Sequence, residues 1–164
     1  MVQRYGEGPP DEGLAMNTVQ LSIEVSASPA EVWKVVGDPR NLPLWDRHIV
    51  GVDGVGDEGL REGSEYTTHL RFMGARAHAT SKVLQLQPPR YAKIKVHGIV
   101  DAMVETWVEP HGKGRTLLSH RVEYRFPGGP LGELAAGAVK VLGIGMLLRR
   151  AVEAQQRQVE ATAK

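Results

Sequence analysis

A chain of 164 residues is long enough for one domain with a sizeable core. Its 20 basic and 19 acidic residues nearly cancel, and no concentrated basic stripe marks a nucleic-acid surface. Cysteine is absent, which excludes disulfides, thiolate nucleophiles and cysteine-held metals. The longest apolar run, 135–148, carries Lys140 and is shorter than the roughly 20 residues needed to span a bilayer, so no stable membrane insertion is expected. No apolar stretch of signal-peptide length lies near the start, and the composition fits a cytoplasmic protein.

In chain order, residues 1–16 are rich in glycine, proline and acid and are expected to form a disordered leader, with Met16 as a natural start and one domain over 17–164. Leu21, Ile23 and Val25 alternate as in a strand. Ser28-Pro29 then reads as a helix N-cap followed by proline in the first turn. The short amphipathic helix stops at Gly37-Asp38-Pro39, and a second helical turn ends on Trp45. Residues 51–59 read as an irregular strand and loop. Strands follow at 64–72, 75–86 and 91–97, separated by Gly74 and by Pro88-Pro89. Residues 102–109 and 116–126 form a hairpin around the H-G-K-G-R turn. Pro127-Gly128-Gly129-Pro130 breaks the chain, and the period is helical from 131 to about 161. Leu134, Ala138, Val141, Leu142, Leu148 and Val152 make one face of that helix. Gly143 and Gly145 each weaken it by about 1 kcal/mol relative to alanine and let it bend or lie close to a sheet.

A strand that passes directly into two short helices opens a curved antiparallel sheet wrapped around a long helix. Two phrases carry a family resemblance: V-S-A-S-P-A-E-V-W over 25–33 and D-P-R-N-L-P-L-W-D over 38–46. With the G-K-G-R-T turn and the apolar C-terminal helix, they resemble the START/Bet v 1-like superfamily, in its polyketide cyclase/dehydrase-like branch. The resemblance implies an α+β helix-grip fold: six or seven bent antiparallel strands, two short helices after the first strand, and a long C-terminal helix on the concave side. It also implies an internal cavity.

Side chains alternate between the faces of a strand. Arg121, Glu123 and Arg125 mark the outer face of the last strand, so Leu118, His120, Val122 and Tyr124 should point inward. By the same reasoning Val104, Thr106 and Val108 face in, which leaves Trp107 outside without a sequence-level reason. Tyr66, Thr68, Leu70 and Phe72 face in on their strand, as does Ile94 on the strand at 91–97. On the strand 75–86 the small residues Ala75, Ala77, Ala79, Ser81 and Val83 are taken as inward; the reversed register would put Arg76 and His78 in the cavity.

His120 is the leading candidate for chemistry, because an imidazole titrates near neutral pH and carries protons either way. The other reading is a histidine satisfied by a cavity water or by Tyr124. Tyr66 and Tyr124 could orient a carbonyl through their phenols, or pack their rings and satisfy their hydroxyls locally. Trp45 is expected to cover the cavity mouth, with Asp46 and His48 beside it either as an acid–imidazole pair or as solvated surface. The expected ligand contacts are Trp45, Thr68, Leu70, Phe72, Ala79, Ser81, Val83, Ile94, Val104, Thr106, Leu118 and Leu142. The six histidines show no metal-ligand spacing, and no phosphate loop or nucleophile elbow occurs, so neither a metal nor a cofactor is expected.

For aromatising cyclases the resemblance implies a cavity arginine on the strand 75–86. That place falls at or near Val83 here, and alanines stand where aromatic neighbours are expected, which argues against a multi-ring aromatase. The expected function is to bind a hydrophobic, polyketide-like small molecule and to promote its cyclisation or dehydration. The alternative is a non-catalytic carrier or sequestering protein for a lipid, quinone or antibiotic. Oligomeric state is left open.

Overall fold

The computed structural model describes residues 16–163, apart from 131, 134, 135 and 138–142. Among these, seven strands form one antiparallel sheet: β1 (Asn17–Val25), β2 (Ile49–Asp53), β3 (Glu65–Phe72), β4 (Ala75–Gln87), β5 (Tyr91–Gly98), β6 (Asp101–Pro110) and β7 (Thr116–Arg125). Their order is β1-β7-β6-β5-β4-β3-β2. Strands β2 to β7 therefore make a meander, and β1 closes on β7. The link from β1 to β2 must cross from one edge of the sheet to the other. Two short helices make that crossing: α1 (Pro29–Val36) and α2 (Leu42–Trp45), joined by a 3-10 turn at Pro39–Asn41.

The start of α1 is fixed by its own sequence. The Ser28 hydroxyl accepts the Glu31 N–H, and the Glu31 carboxylate accepts the Ser28 N–H at 2.8 Å, a reciprocal capping box. Helix α3 (Ile144–Thr162) packs against β1 and both short helices. The single helical period expected over 131–161 is interrupted, because Gly143 takes φ +70° and α3 begins one residue later. Glycine reaches that left-handed conformation without a Cβ clash. The expected face at Leu134, Ala138, Val141 and Leu142 lies outside the described residues, as does the leader over 1–15.

The alternation read from sequence holds across the sheet. On β4, Ala79, Ser81 and Val83 are buried while Arg76, His78, Thr80 and Lys82 are exposed, so the reversed, cationic register does not occur. A bulge between Val83 and Gln85 then changes the phase: Leu84 still faces outward, and Leu86 turns inward. Trp107 is on the outer face, and its reason is a neighbour: Tyr91 is its cross-strand partner, with ring centroids 5.6 Å apart.

The packed core sits at one end of the molecule. Val25, Val32, Val35, Trp45, Val108, Leu118 and Val159 are buried together where β1, β6 and β7 meet α1, α2 and the C-terminal half of α3. Polar bonds tie the helices there. Trp45 Nε1 donates to Gln158 Oε1 at 2.7 Å, and the Gln158 amide donates to Asn41 Oδ1 at 3.2 Å. The other half of α3 lies over open space.

Candidate functional site

That space is a cavity of about 390 Å³ between the concave face of the sheet, α2 and the N-terminal half of α3. Most of its wall is apolar. Ala92, Ile94 and Val96 of β5 form a central strip; Val104 and Val122 extend it, and Leu147, Leu148 and Ala151 of α3 roof it. Ile99 and Val100, at the β5–β6 turn, bound one end. Gly98 delivers that turn: at φ +136°, it passes so close to β4 that a Cβ would lie 2.7 Å from the His78 carbonyl oxygen.

Polar groups form two clusters on either side of the strip. The first is built on His120, which is 6 % exposed. His120 on β7 faces Thr106 on β6 in register, and the Thr106 hydroxyl lies 2.9 Å from Nδ1. Gln155 comes down from α3, with Oε1 at 2.9 Å from Nε2. A carbonyl oxygen only accepts, so Nε2 carries the ring proton and donates to Gln155; Nδ1 is left to accept from Thr106. Burial pushes the imidazole below its ordinary value, and the Gln155 bond opposes that only in part. His120 is therefore a neutral imidazole near pH 7 with both nitrogens occupied.

The second cluster is Tyr66 and Thr68 on β3 with Ser81 on β4, all buried. Tyr66 and Ser81 are cross-strand partners. Burial pushes the Tyr66 phenol up, with the Ser81 hydroxyl opposing, so the phenol keeps its proton. One strand, β5, separates the two clusters, which puts β4 and β6 roughly 10 Å apart along the sheet at ordinary strand spacing.

At the end of α2, Trp45 lines the cavity from the packed core, while Asp46 lines it with its side chain 28 % exposed and so marks its solvent-facing mouth. The acid–imidazole pair is formed: Asp46 Oδ1 accepts both the backbone N–H of His48 at 2.8 Å and its ring Nδ1 at 2.7 Å. The His48 ring rests against Phe72, with centroids 5.3 Å apart.

Of the residues expected from sequence to meet a ligand, the cavity gathers His120, Tyr66, Trp45, Thr68, Leu70, Ala79, Ser81, Ile94, Val104 and Thr106. Four others lie elsewhere among the described residues. Phe72 packs on His48, and Tyr124 is half-buried with its ring edge-on to Phe126. Val83 and Leu118 are fully buried rather than cavity-lining: Leu118 belongs to the packed core, and Val83 sits at the β4 bulge between the lining residues Ser81 and Leu86. Leu142 lies outside the described residues. The sequence reading missed Gln155. Its signal was the spacing Leu148, Val152, Gln155, Val159, a polar residue on an otherwise apolar helical stripe. Among the described residues no group of three or more His, Asp or Glu could hold a metal ion, and no helix is long and apolar enough to cross a membrane.

Comparisons with known proteins agree with this architecture. The family model described as polyketide cyclase / dehydrase and lipid transport matches residues 16–160. Uncharacterized proteins from two Mycobacterium tuberculosis strains are 33% identical over 129 residues, covering 76% of this chain and 90% of theirs. A crystal structure from Thermus thermophilus superposes with TM-score 0.71 at 14% identity, covering 90% of this chain and 100% of that one. An aromatase/cyclase from a Streptomyces species superposes with TM-score 0.65 at 18% identity, covering 91% and 99%. At such identities the structural likeness speaks for the helix-grip fold alone.

Proposed function

The chain belongs to the polyketide cyclase / dehydrase and lipid transport family, within the START/Bet v 1-like superfamily, and from that premise we propose that it holds an elongated, polyketide-like small molecule in its cavity. One observation carries this reading: an apolar strip separates two polar clusters on one concave wall. A mainly apolar ligand with oxygen functions near both ends matches that wall. Thr106 spends its hydroxyl proton on His120, so its oxygen offers lone pairs and suits a donor on the ligand, such as an alcohol or phenol. Native mass spectrometry of the purified protein tests the proposal. A retained mass released on denaturation is the expected result. An empty protein that also fails to bind any apolar fluorophore would sink it.

Turnover by cyclisation or dehydration is a second reading, favoured by the Thr106–His120–Gln155 chain. In it, Thr106 Oγ1 takes a proton from an enolisable carbon of the ligand while passing its own to Nδ1. The resulting imidazolium keeps Nε2–H on the Gln155 carbonyl oxygen, and the proton returns to a leaving hydroxyl, so that water is lost. Tyr66 orients a carbonyl on the far side of the apolar strip. Holding the chain folded and away from solvent supplies the rest. Replacing His120 with Gln keeps hydrogen bonding without a group that protonates near neutral pH. Turnover should then fall about 10²–10⁴-fold with little change in affinity. Product at the undiminished rate would remove His120 from the chemistry, and return of every candidate ligand unchanged by the wild type would leave the carrier reading.

A further inference from the structure

The charge pattern of the cavity narrows the ligand further, given the binding reading above. Three described lining residues have ionisable side chains: Asp46, Tyr66 and His120. The last two are deep in the wall and stay neutral near pH 7, which leaves Asp46 as the one charge, placed at the mouth. Neither lysine nor arginine lines the cavity among the described residues.

Asp46 is held in a way that leaves half of it available. Both bonds from His48 go to Oδ1, and Oδ2 has no hydrogen-bond partner among the described residues. The imidazole is fixed against Phe72. An incoming carboxylate would meet a like charge at the entrance and no partner inside, with a high cost of desolvation. An incoming ammonium would meet an oriented carboxylate oxygen while its apolar body enters the strip.

We infer that the cavity selects amphiphiles bearing a protonated amine at the mouth end and rejects the matching carboxylates. Decylamine, decanol and decanoate have equal chain length and differ in the end group alone. Each is titrated against full-length protein loaded with the neutral fluorophore N-phenyl-1-naphthylamine, at about pH 8 and low salt. Decylamine should displace the reporter about two- to fivefold more tightly than decanol, the range of a partly exposed ion pair. Decanoate should be more than about tenfold weaker than decanol. Asp46→Asn keeps the Oδ1 acceptor for His48; it should bring decylamine and decanol together, and an unchanged melting curve reports an intact fold. Added salt should shrink the amine preference in the wild type alone. Decanoate binding as tightly as decanol, or an amine preference that survives Asp46→Asn, would overturn the inference while leaving the binding reading standing. Displacement by none of the three would sink the binding reading, and the inference with it.

Discussion

Gln155 Oε1 and His120 Nε2 lie 2.9 Å apart, a buried bond that joins the one described long helix to β7, the strand beside the sheet edge β1. A hydrogen bond in such a place is worth less than the cost of leaving half of it unmade. Gln155→Leu strands the His120 donor and should destabilise the fold by about 1–3 kcal/mol. Adding His120→Leu should recover part of that loss, because both polar partners are then gone. Urea unfolding of the two single variants and the double variant measures the coupling. Strictly additive losses would mean that the bond contributes nothing.

Burial of His120 also sets a pH dependence. Its folded value lies below the ordinary histidine value of 6.5. Between the two, the unfolded chain binds a proton that the folded chain refuses, so stability rises with pH through that window. The contribution is complete above about pH 6.5 and is lost as the pH falls toward the folded value. One proton can account for at most about 1.4 kcal/mol per pH unit. Melting curves from about pH 8 to pH 5 should show wild type losing stability faster than His120→Gln. Parallel curves would mean that His120 titrates alike in both states.

The two halves of α3 should respond differently to the same insult. Val159 is fully buried in the core, and aspartate there should cost several kcal/mol and abolish cooperative folding. Leu148 is half-buried and roofs the cavity, where a charge can stay hydrated. Leu148→Asp should fold, with a melting point within several degrees of wild type, and lose its affinity for apolar ligands. Circular dichroism melts with fluorophore titration distinguish the two. Equal damage from both would show that the roof is packed core.

Ala92 lies on the central strip, next to Thr106 in the sheet and 8 % exposed. Phenylalanine in its place should extend into the cavity instead of overpacking the core. The expected result is at least about tenfold weaker ligand binding with a small change in stability. A large loss of stability with unchanged binding would place the ligand elsewhere.

Much of this molecule was legible from the chain because its local signals agree with each other. Ser28-Pro29 set the start of α1, and the Arg121, Glu123 and Arg125 row on β7 faced His120 inward. The inward place of Ala79 on β4 was read from alternation together with the small size of that face. What was not legible depended on contacts distant in sequence. Leu118 obeys the inward alternation, yet the cavity ends before it reaches it, and no local pattern states how far along a strand open space extends; Val83 is closed off at a bulge that the alternation does not announce. Phe72 was diverted by His48, a partner 24 residues away. Trp107 owed its outward place to Tyr91 across the ladder. Gln155 was visible as a polar interruption of an apolar stripe, but what it bonds to is a fact of tertiary structure.

Because α3 anchors the fold with its C-terminal half and faces the ligand with the other, heritable change can fall on one without disturbing the other. Substitutions at Leu147 or Leu148 alter what the cavity accepts and leave the cluster around Val159 untouched, whereas Ala151 touches both. A lineage carrying this arrangement can drift from one small molecule to another through single steps, each still folded. That freedom is a property of where the helix sits, and it permits diversification without a preceding gain in stability.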